Sequence, residues 1–240
     1  MALDTLTTSR LLPMLQPGHR VAAMGYPDMI APPGMFSRVL GDKQIQYRDD
    51  SVNICKRHGL PQRLIPDAKS VFDAMGAHLD VFDIVQERGD EFLCDLNEPF
   101  PERFMGSADG PLGYYDFVLD VGTIEHCFNI GQAARNMAGL LKEGGIIFHG
   151  NPHNSGNHGF YGMQPTWYAD FYGQDGFELM YCVLQRRGTD DYVDAPLTKR
   201  YSLPEAEVNI FAAARRTAIK TIQWPTQTKY KKLIGAKHGT

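Results

Sequence analysis

The sequence predicts an α/β chain, with a single doubly wound, mostly parallel, seven-stranded sheet and helices on both faces. Three observations predict it. Tyr115–Val121 is an apolar run that breaks at Gly122 and continues as a polar loop carrying Glu125 and His126. Leu140-Leu141-Lys142-Glu143-Gly144-Gly145-Ile146-Ile147-Phe148 reads as a helix end, a Gly-Gly turn and another buried strand. Short apolar runs alternate with helix-like segments along the chain, as successive strand–helix–strand units do.

The elements follow in order. Leu6–Leu15 reads as a short helix leading in. Arg20–Met24 is the first central strand, and Gly25-Tyr26-Pro27-Asp28 turns the chain. Residues 29–65 are too long for a plain loop, so an inserted segment with helices of its own is expected, covering a site or a partner surface. In Pro66–Gly76, Val71, Phe72 and Met75 share one helical face and Gly76 stops the helix. His78–Ile84 is a strand that reaches its end at Asp83, and Glu91–Cys94 is a shorter one followed by Asp95-Leu96-Asn97. A Gly- and Pro-containing connection over 101–114 leads to the strand at 116–121. Ile130, Ala133, Ala134, Met137 and Leu140 have helical spacing, and Ile146–His149 is a buried strand. Phe177–Leu184 and Val208–Arg215 complete the set and are expected to include an antiparallel pair. No internal repeat or clean linker divides the chain, so one domain over 1–240 is expected.

Composition narrows the function classes. With 240 residues, 43% hydrophobic content and a net charge of −4, the chain can bury one substantial core. The lack of a basic excess argues against a large duplex nucleic-acid footprint. No apolar run approaches the ~20 residues that span a bilayer. Cys55, Cys94, Cys127 and Cys182 are widely spaced and read as reduced, buried thiols. Met1–Pro17 has one basic residue, Arg10, and no signal-peptide architecture, so the cytoplasm is the expected compartment. A homo-oligomer is compatible with all of this.

In open parallel sheets the ligand lies at the carboxyl ends of the strands. The residues at such ends here are Gly25, Asp83, Asp95, Gly122 with Glu125, and Asn151. A carboxylate at Asp83 can accept from two ribose hydroxyls, or it is a solvated strand-end acid. Asp95 can accept from an adenine amino group, or it caps a turn. Gly122 lets backbone approach a ligand closely, or serves only its turn. A nucleoside cofactor suits this set.

At these residues the chain resembles the Rossmann-like (class I) S-adenosylmethionine (SAM)-dependent methyltransferases. The similarity is greatest to a subgroup with a "VGTxEHxFN" loop, here Val121–Asn129, and a later "NHGFY…P…Y…GFE" segment, here Asn157–Glu178. It covers most of residues 78–184. The resemblance implies SAM at the strand ends, with Asp83 on ribose, Asp95 and Leu96 near adenine, and Gly122 to His126 beside cofactor and acceptor. The chain departs from the family at the first motif. Gly25-Tyr26-Pro27-Asp28 keeps one glycine of the usual glycine-rich loop, and Gly25 to Asp83 is far longer than the usual ~20-residue spacing.

Methyl transfer to a hydroxyl needs a base as well as alignment. The candidates, in order, are His126, His158 and His153, with Glu125 orienting the acceptor or meeting the sulfonium. His149, His153 and His158 fit no helical metal-binding spacing and lack an acidic cluster, so no metal site is expected. The aromatic group from Phe160 to Tyr172 reads as core packing ahead of an acceptor pocket. The leading expectation is a SAM-dependent methyltransferase with a small-molecule acceptor, a hydroxyl or amine of a sugar or other metabolite. The alternative is a catalytically degenerate protein of that fold acting as a binding or partner subunit. A nicotinamide-dependent oxidoreductase would share the strand-end acid but also needs the missing glycine fingerprint.

Overall fold

The computed structural model describes residues 1–100, 113–197, 199–202 and 205–231. The α-helices there that position the site and the core are α1 (Thr5–Leu11), α2 (Pro33–Leu40), α3 (Ser51–Arg57), α4 (Ala68–Ala74), α5 (Ile130–Leu140) and α6 (Pro165–Tyr172). The strands are β1 (Arg20–Met24), β2 (His78–Asp83), β3 (Phe92–Leu93), β4 (Tyr115–Val121), β5 (Leu141–Pro152), β6 (Phe177–Arg186), β7 (Tyr192–Asp194) and β8 (Val208–Arg216). They form one sheet in the order β3-β2-β1-β4-β5-β8-β6-β7. The run from β3 to β5 is parallel, and β8 is antiparallel to both β5 and β6.

The sheet has eight strands rather than the expected seven. The addition is β7, three exposed residues that pair antiparallel with β6 at the edge. A strand so short, with no buried face, leaves no alternation to read. β5 also runs longer than its apolar core, from Leu141 to Pro152. The connection expected over 101–114 falls, for 101–112, outside the described residues.

The helices form where the sequence caps and stripes them. The Asp67 carboxylate accepts from Ser70 N at 2.9 Å to start α4, and Asn129 accepts from Gln132 N at 3.4 Å to start α5. α5 buries Ala133, Ala134, Met137 and Leu140 against one face of the sheet. With α6 it covers Val118, Ile147 and Ile210. On the other face Leu11 of α1, Phe36 of α2 and Phe72 of α4 pack on Val21, Val81 and Leu119. Both faces are covered, as the near-continuous apolar strands require.

The long segment after β1 carries α2 and α3. It is pinned to the end of the first turn. Asp28, 3% exposed, meets Arg57 at 3.3 Å, His58 at 3.0 Å and Arg48 at 3.9 Å. Tyr26 is buried, and its hydroxyl donates to Asp67 at 2.6 Å. Tyr26 and Asp28, just after Gly25, are therefore structural anchors. The four cysteines are all free and buried. No helix among the described residues is long and apolar enough to cross a membrane.

Candidate active site

β1 and β4 lie side by side, but the chain goes from β1 to β2 and β3 on one side and resumes at β4 on the other. At such a switch point the two connections part and leave a crevice at the carboxyl ends. Gly25 follows β1 there with φ +89, a conformation only glycine adopts without strain. A Cβ on Gly25 would point between Thr123 Oγ1 at 3.7 Å and Asp83 Oδ2 at 3.8 Å. The Thr123 hydroxyl donates to Met24 O, tying the β4 exit to the end of β1.

Two cavities open at this point. The first, of about 160 Å³, is lined by Gly25, Asp83, Asp95 and Leu96, with Phe82 and Ile84 as apolar walls. Four residues from three strand ends thus meet in one cleft. Asp83 Oδ1 accepts from Val85 N at 3.3 Å, and Oδ2 has no partner among the described residues. Asp95 Oδ1 accepts from Asn97 N at 2.9 Å and Asn97 Nδ2 at 2.8 Å, so the turn-capping role is present and only Oδ2 is left for a ligand. Leu96 is buried.

The second cavity, of about 340 Å³, is lined by Gly122, Glu125, His126, Asn151 and His158, with Met1 and Ala2 closing one side. His126 borders both cavities. A larger, open cavity of about 1000 Å³ lies by Lys43, Arg48, Lys69, Asp73 and Arg88 and holds none of the strand-end residues.

Glu125 sits in a single 3-10 turn, Ile124–His126, and its side chain is fully buried. Its Oε2 accepts from Asn151 Nδ2 at 3.0 Å, while Oε1 has no hydrogen-bond partner among the described residues. Burial and the facing Asp120 carboxylate push the Glu125 carboxyl up to about 7, against its own backbone and Asn151. His158 Nε2 is 3.4 Å and His126 Nε2 3.8 Å from Glu125 Oε1. Desolvation and the neighbouring His158 hold His126 below its ordinary value, so it is neutral near pH 7.

His158 reaches this position through an unusual loop. Asn157 has φ 57, which an Asn tolerates better than most residues. Gly159 then lies flat on Glu125. A Cβ there would be 2.8 Å from Glu125 O, the same oxygen that accepts from Phe160 N at 2.9 Å.

Behind Glu125 runs a buried polar network that the strand-end reasoning did not find, apart from Asn151. Asp120 accepts from Ile124 N at 3.0 Å, from His149 Nδ1 at 2.7 Å and from Asn151 Nδ2 at 3.2 Å. With Nδ1 carrying the proton, His149 Nε2 accepts from the Tyr172 hydroxyl at 2.6 Å. Tyr168 donates to Asn151 Oδ1 at 2.7 Å. Burial and Asp120 hold both phenols well above their ordinary value, so both remain donors. A signal was available. Asp120 and His149 are polar residues inside apolar strands, and a buried polar group must find a partner.

The expected residues thus divide. Gly25, Asp83, Asp95 and Leu96 share the first cleft, Gly122, Glu125 and His158 share the second cavity, and His126 touches both. His153 stands apart. Its Nδ1 donates to Met163 O at 2.7 Å and its Nε2 accepts from Tyr201 at 2.8 Å, so neither ring nitrogen is available as a base or ligand. Of the aromatic group, Tyr168, Phe171 and Tyr172 are core, while Phe160 is 64% exposed and packs edge-on against Phe128.

No model of a known protein family matches the chain, and no curated protein matches it in sequence. Solved structures of similar architecture exist. One is the 1,6-didemethyltoxoflavin-N1-methyltransferase of Burkholderia thailandensis, determined with 1,6-didemethyltoxoflavin and S-adenosylhomocysteine: 14% identity, 89% of this chain and 78% of that chain covered, TM-score 0.46. Another is a protein of Bacillus halodurans C-125 provisionally called a methyltransferase: 9% identity, 88% and 99% covered, TM-score 0.49. A third is the cyclase SpnF: 12% identity, 87% and 79% covered, TM-score 0.40. At these identities and scores the likenesses carry no assignment of activity.

Proposed function

We propose that this chain is a SAM-dependent methyltransferase acting on a small-molecule acceptor, a hydroxyl or amine of a sugar or other metabolite. One observation carries the reading. Gly25, Asp83, Asp95 and Leu96 converge on one cleft at the switch point, and that cleft adjoins, through His126, a cavity holding Glu125 and His158.

The residues fit the cofactor. Asp83 Oδ2 is an unpartnered carboxylate oxygen at the end of β2, suited to ribose hydroxyls, each such bond being worth about 1.5–3 kcal/mol. Phe82, Ile84 and Leu96 offer an apolar slot for adenine, with Asp95 Oδ2 at its rim. The first cleft alone is small, and with its neighbour it comes within the roughly 300–1,000 Å³ of ordinary ligand sites. Bound there, SAM supplies a methyl group on a sulfonium, open to in-line displacement.

The chain's own residues do the rest. The second cavity holds the acceptor, and Glu125 orients it. Neutral His126, on the border of both spaces, takes the acceptor proton, with His158 beside it.

The test is calorimetric titration of the purified chain with SAM and S-adenosylhomocysteine. Micromolar binding is expected, weakened at least about tenfold by Asp83→Ala. Unchanged affinity in that variant would remove Asp83 from the ribose. A second reading has its own support: Tyr26, Pro27 and Asp28 fill the first turn, and Met1 reaches within 3.9 Å of the Cβ position at Gly25. If the folded protein binds neither compound, the chain is instead a degenerate, non-catalytic member of this fold class.

A further inference from the structure

We propose that Glu125, His126 and His158 form a binding site for one divalent first-row transition cation, open toward the second cavity. One carboxylate oxygen and two imidazole nitrogens lie within 4.8 Å of one another. The separations from Glu125 Oε1 are 3.4 Å to His158 Nε2 and 3.8 Å to His126 Nε2. Bonds of about 2.0–2.2 Å in a tetrahedral site set ligand atoms roughly 3.3–3.6 Å apart, so small side-chain adjustments close the triangle.

A second observation is independent of the spacing. Glu125 Oε1 is buried with no hydrogen-bond donor, in a neighbourhood where the other carboxylate oxygens are satisfied. Leaving one buried carboxylate oxygen without a hydrogen bond is costly, and a cation held with the two histidines removes that cost. The support around the trio is that of a built site. Asn151 holds the other Glu125 oxygen and is itself held by Tyr168, while Gly159 docks the His158 loop onto Glu125. Two imidazoles and one carboxylate suit zinc, iron, cobalt or manganese rather than an all-oxygen calcium cage.

The remaining position of the ion faces the cavity, where water or an acceptor hydroxyl would complete it. That last assignment rests on the methyltransferase reading; the binding of the ion does not. In the loaded form His126 is a ligand rather than a base. The cation then makes a coordinated hydroxyl more acidic, its proton leaving to water.

The test uses the full chain stripped with chelator. It is titrated with Co²⁺ by visible absorption and with Zn²⁺ by calorimetry. One equivalent should bind with micromolar or tighter affinity, and His126→Ala and His158→Ala should each weaken it by about 10–100-fold or more. Both histidines are about half exposed, so these variants should keep the wild-type melting profile, whereas Glu125→Gln risks the fold. Absence of stoichiometric binding, or binding unchanged in both histidine variants, overturns the site. S-adenosylhomocysteine is titrated into the same stripped and loaded samples. Metal binding without nucleoside binding sinks the transferase reading and leaves the site. Nucleoside binding without metal binding does the reverse.

Discussion

At Gly159 the fit between two loops depends on the absence of one methyl group. A Cβ there meets Glu125 O at 2.8 Å and Glu125 Cγ at 3.0 Å. That oxygen accepts from Phe160 and Tyr161 N–H groups and cannot swing aside cheaply. Gly159→Ala should therefore cost about 1–3 kcal/mol, the usual range for overpacking, and draw His158 away from Glu125. Gly156→Ala, with nothing within 4 Å of its Cβ, should be nearly neutral. Urea unfolding of the two variants decides it, and equal stability would mean the loop does not dock as described. Such contacts join residues more than thirty positions apart, so no local pattern announces them. The strand-end acids were legible because each follows an apolar run. The Asp120–His149–Tyr172 chain was not, since its members come from β4, β5 and α6 and meet only when the sheet is built.

At the scale of elements, legibility followed apolar content. β1, β2, β4 and β5 were readable as short apolar runs and α5 by its helical spacing, whereas β7 buries nothing. The inserted segment was readable only as an excess of length. What fixes it is a charge cluster: Arg48, Arg57 and His58, from α3 and the residues flanking it, converge on Asp28. Removing the carboxylate takes the buried partner from Arg57 and His58, while Arg48 keeps its 2.6 Å pair with Asp50. Because Arg57 is mostly solvated, the loss should be about 2–3 kcal/mol rather than the 3–5 of a fully buried pair. Asp28→Ala should also loosen the segment locally. Limited trypsin digestion followed by mass spectrometry should show early cleavage at Lys56 and Arg57, which lie in α3 of the wild type. A cleavage pattern identical to wild type would show that apolar packing alone, through Ile54 and Ile65, holds the segment.

Across the whole molecule the two edges of the sheet divide their tasks. The carboxyl edge carries Asp83, Glu125, His126 and His158, and there Asp83 Oδ2 and the buried Glu125 Oε1 accept no hydrogen bond from the described residues. The amino edge carries polar groups that are paired. Asp116 accepts from Arg20 N at 2.9 Å and pairs with Lys142, and Tyr115 donates to Asp80 at 3.0 Å. Burial opposes ionisation of Asp116, but the Arg20 N–H and the Lys142 ammonium outweigh it and hold the carboxyl below its ordinary value. The folded state therefore binds fewer protons than the unfolded one. Its stabilisation is present above the unfolded value near 4 and is lost as pH falls through the lower, folded value. Asp116→Asn should cost about 1 kcal/mol at neutral pH, a modest figure because Lys142 is half exposed, and the gap should close as pH drops below about 4. It should leave S-adenosylhomocysteine affinity unchanged. Asp83→Ala should do the opposite, lowering that affinity while leaving the unfolding midpoint within about 0.5 kcal/mol of wild type. Urea titrations at neutral and acid pH, paired with calorimetry on both variants, measure the two axes separately. If each variant moves both quantities, the edges are coupled through β1 and β4, and the division between a stabilising edge and a binding edge is wrong.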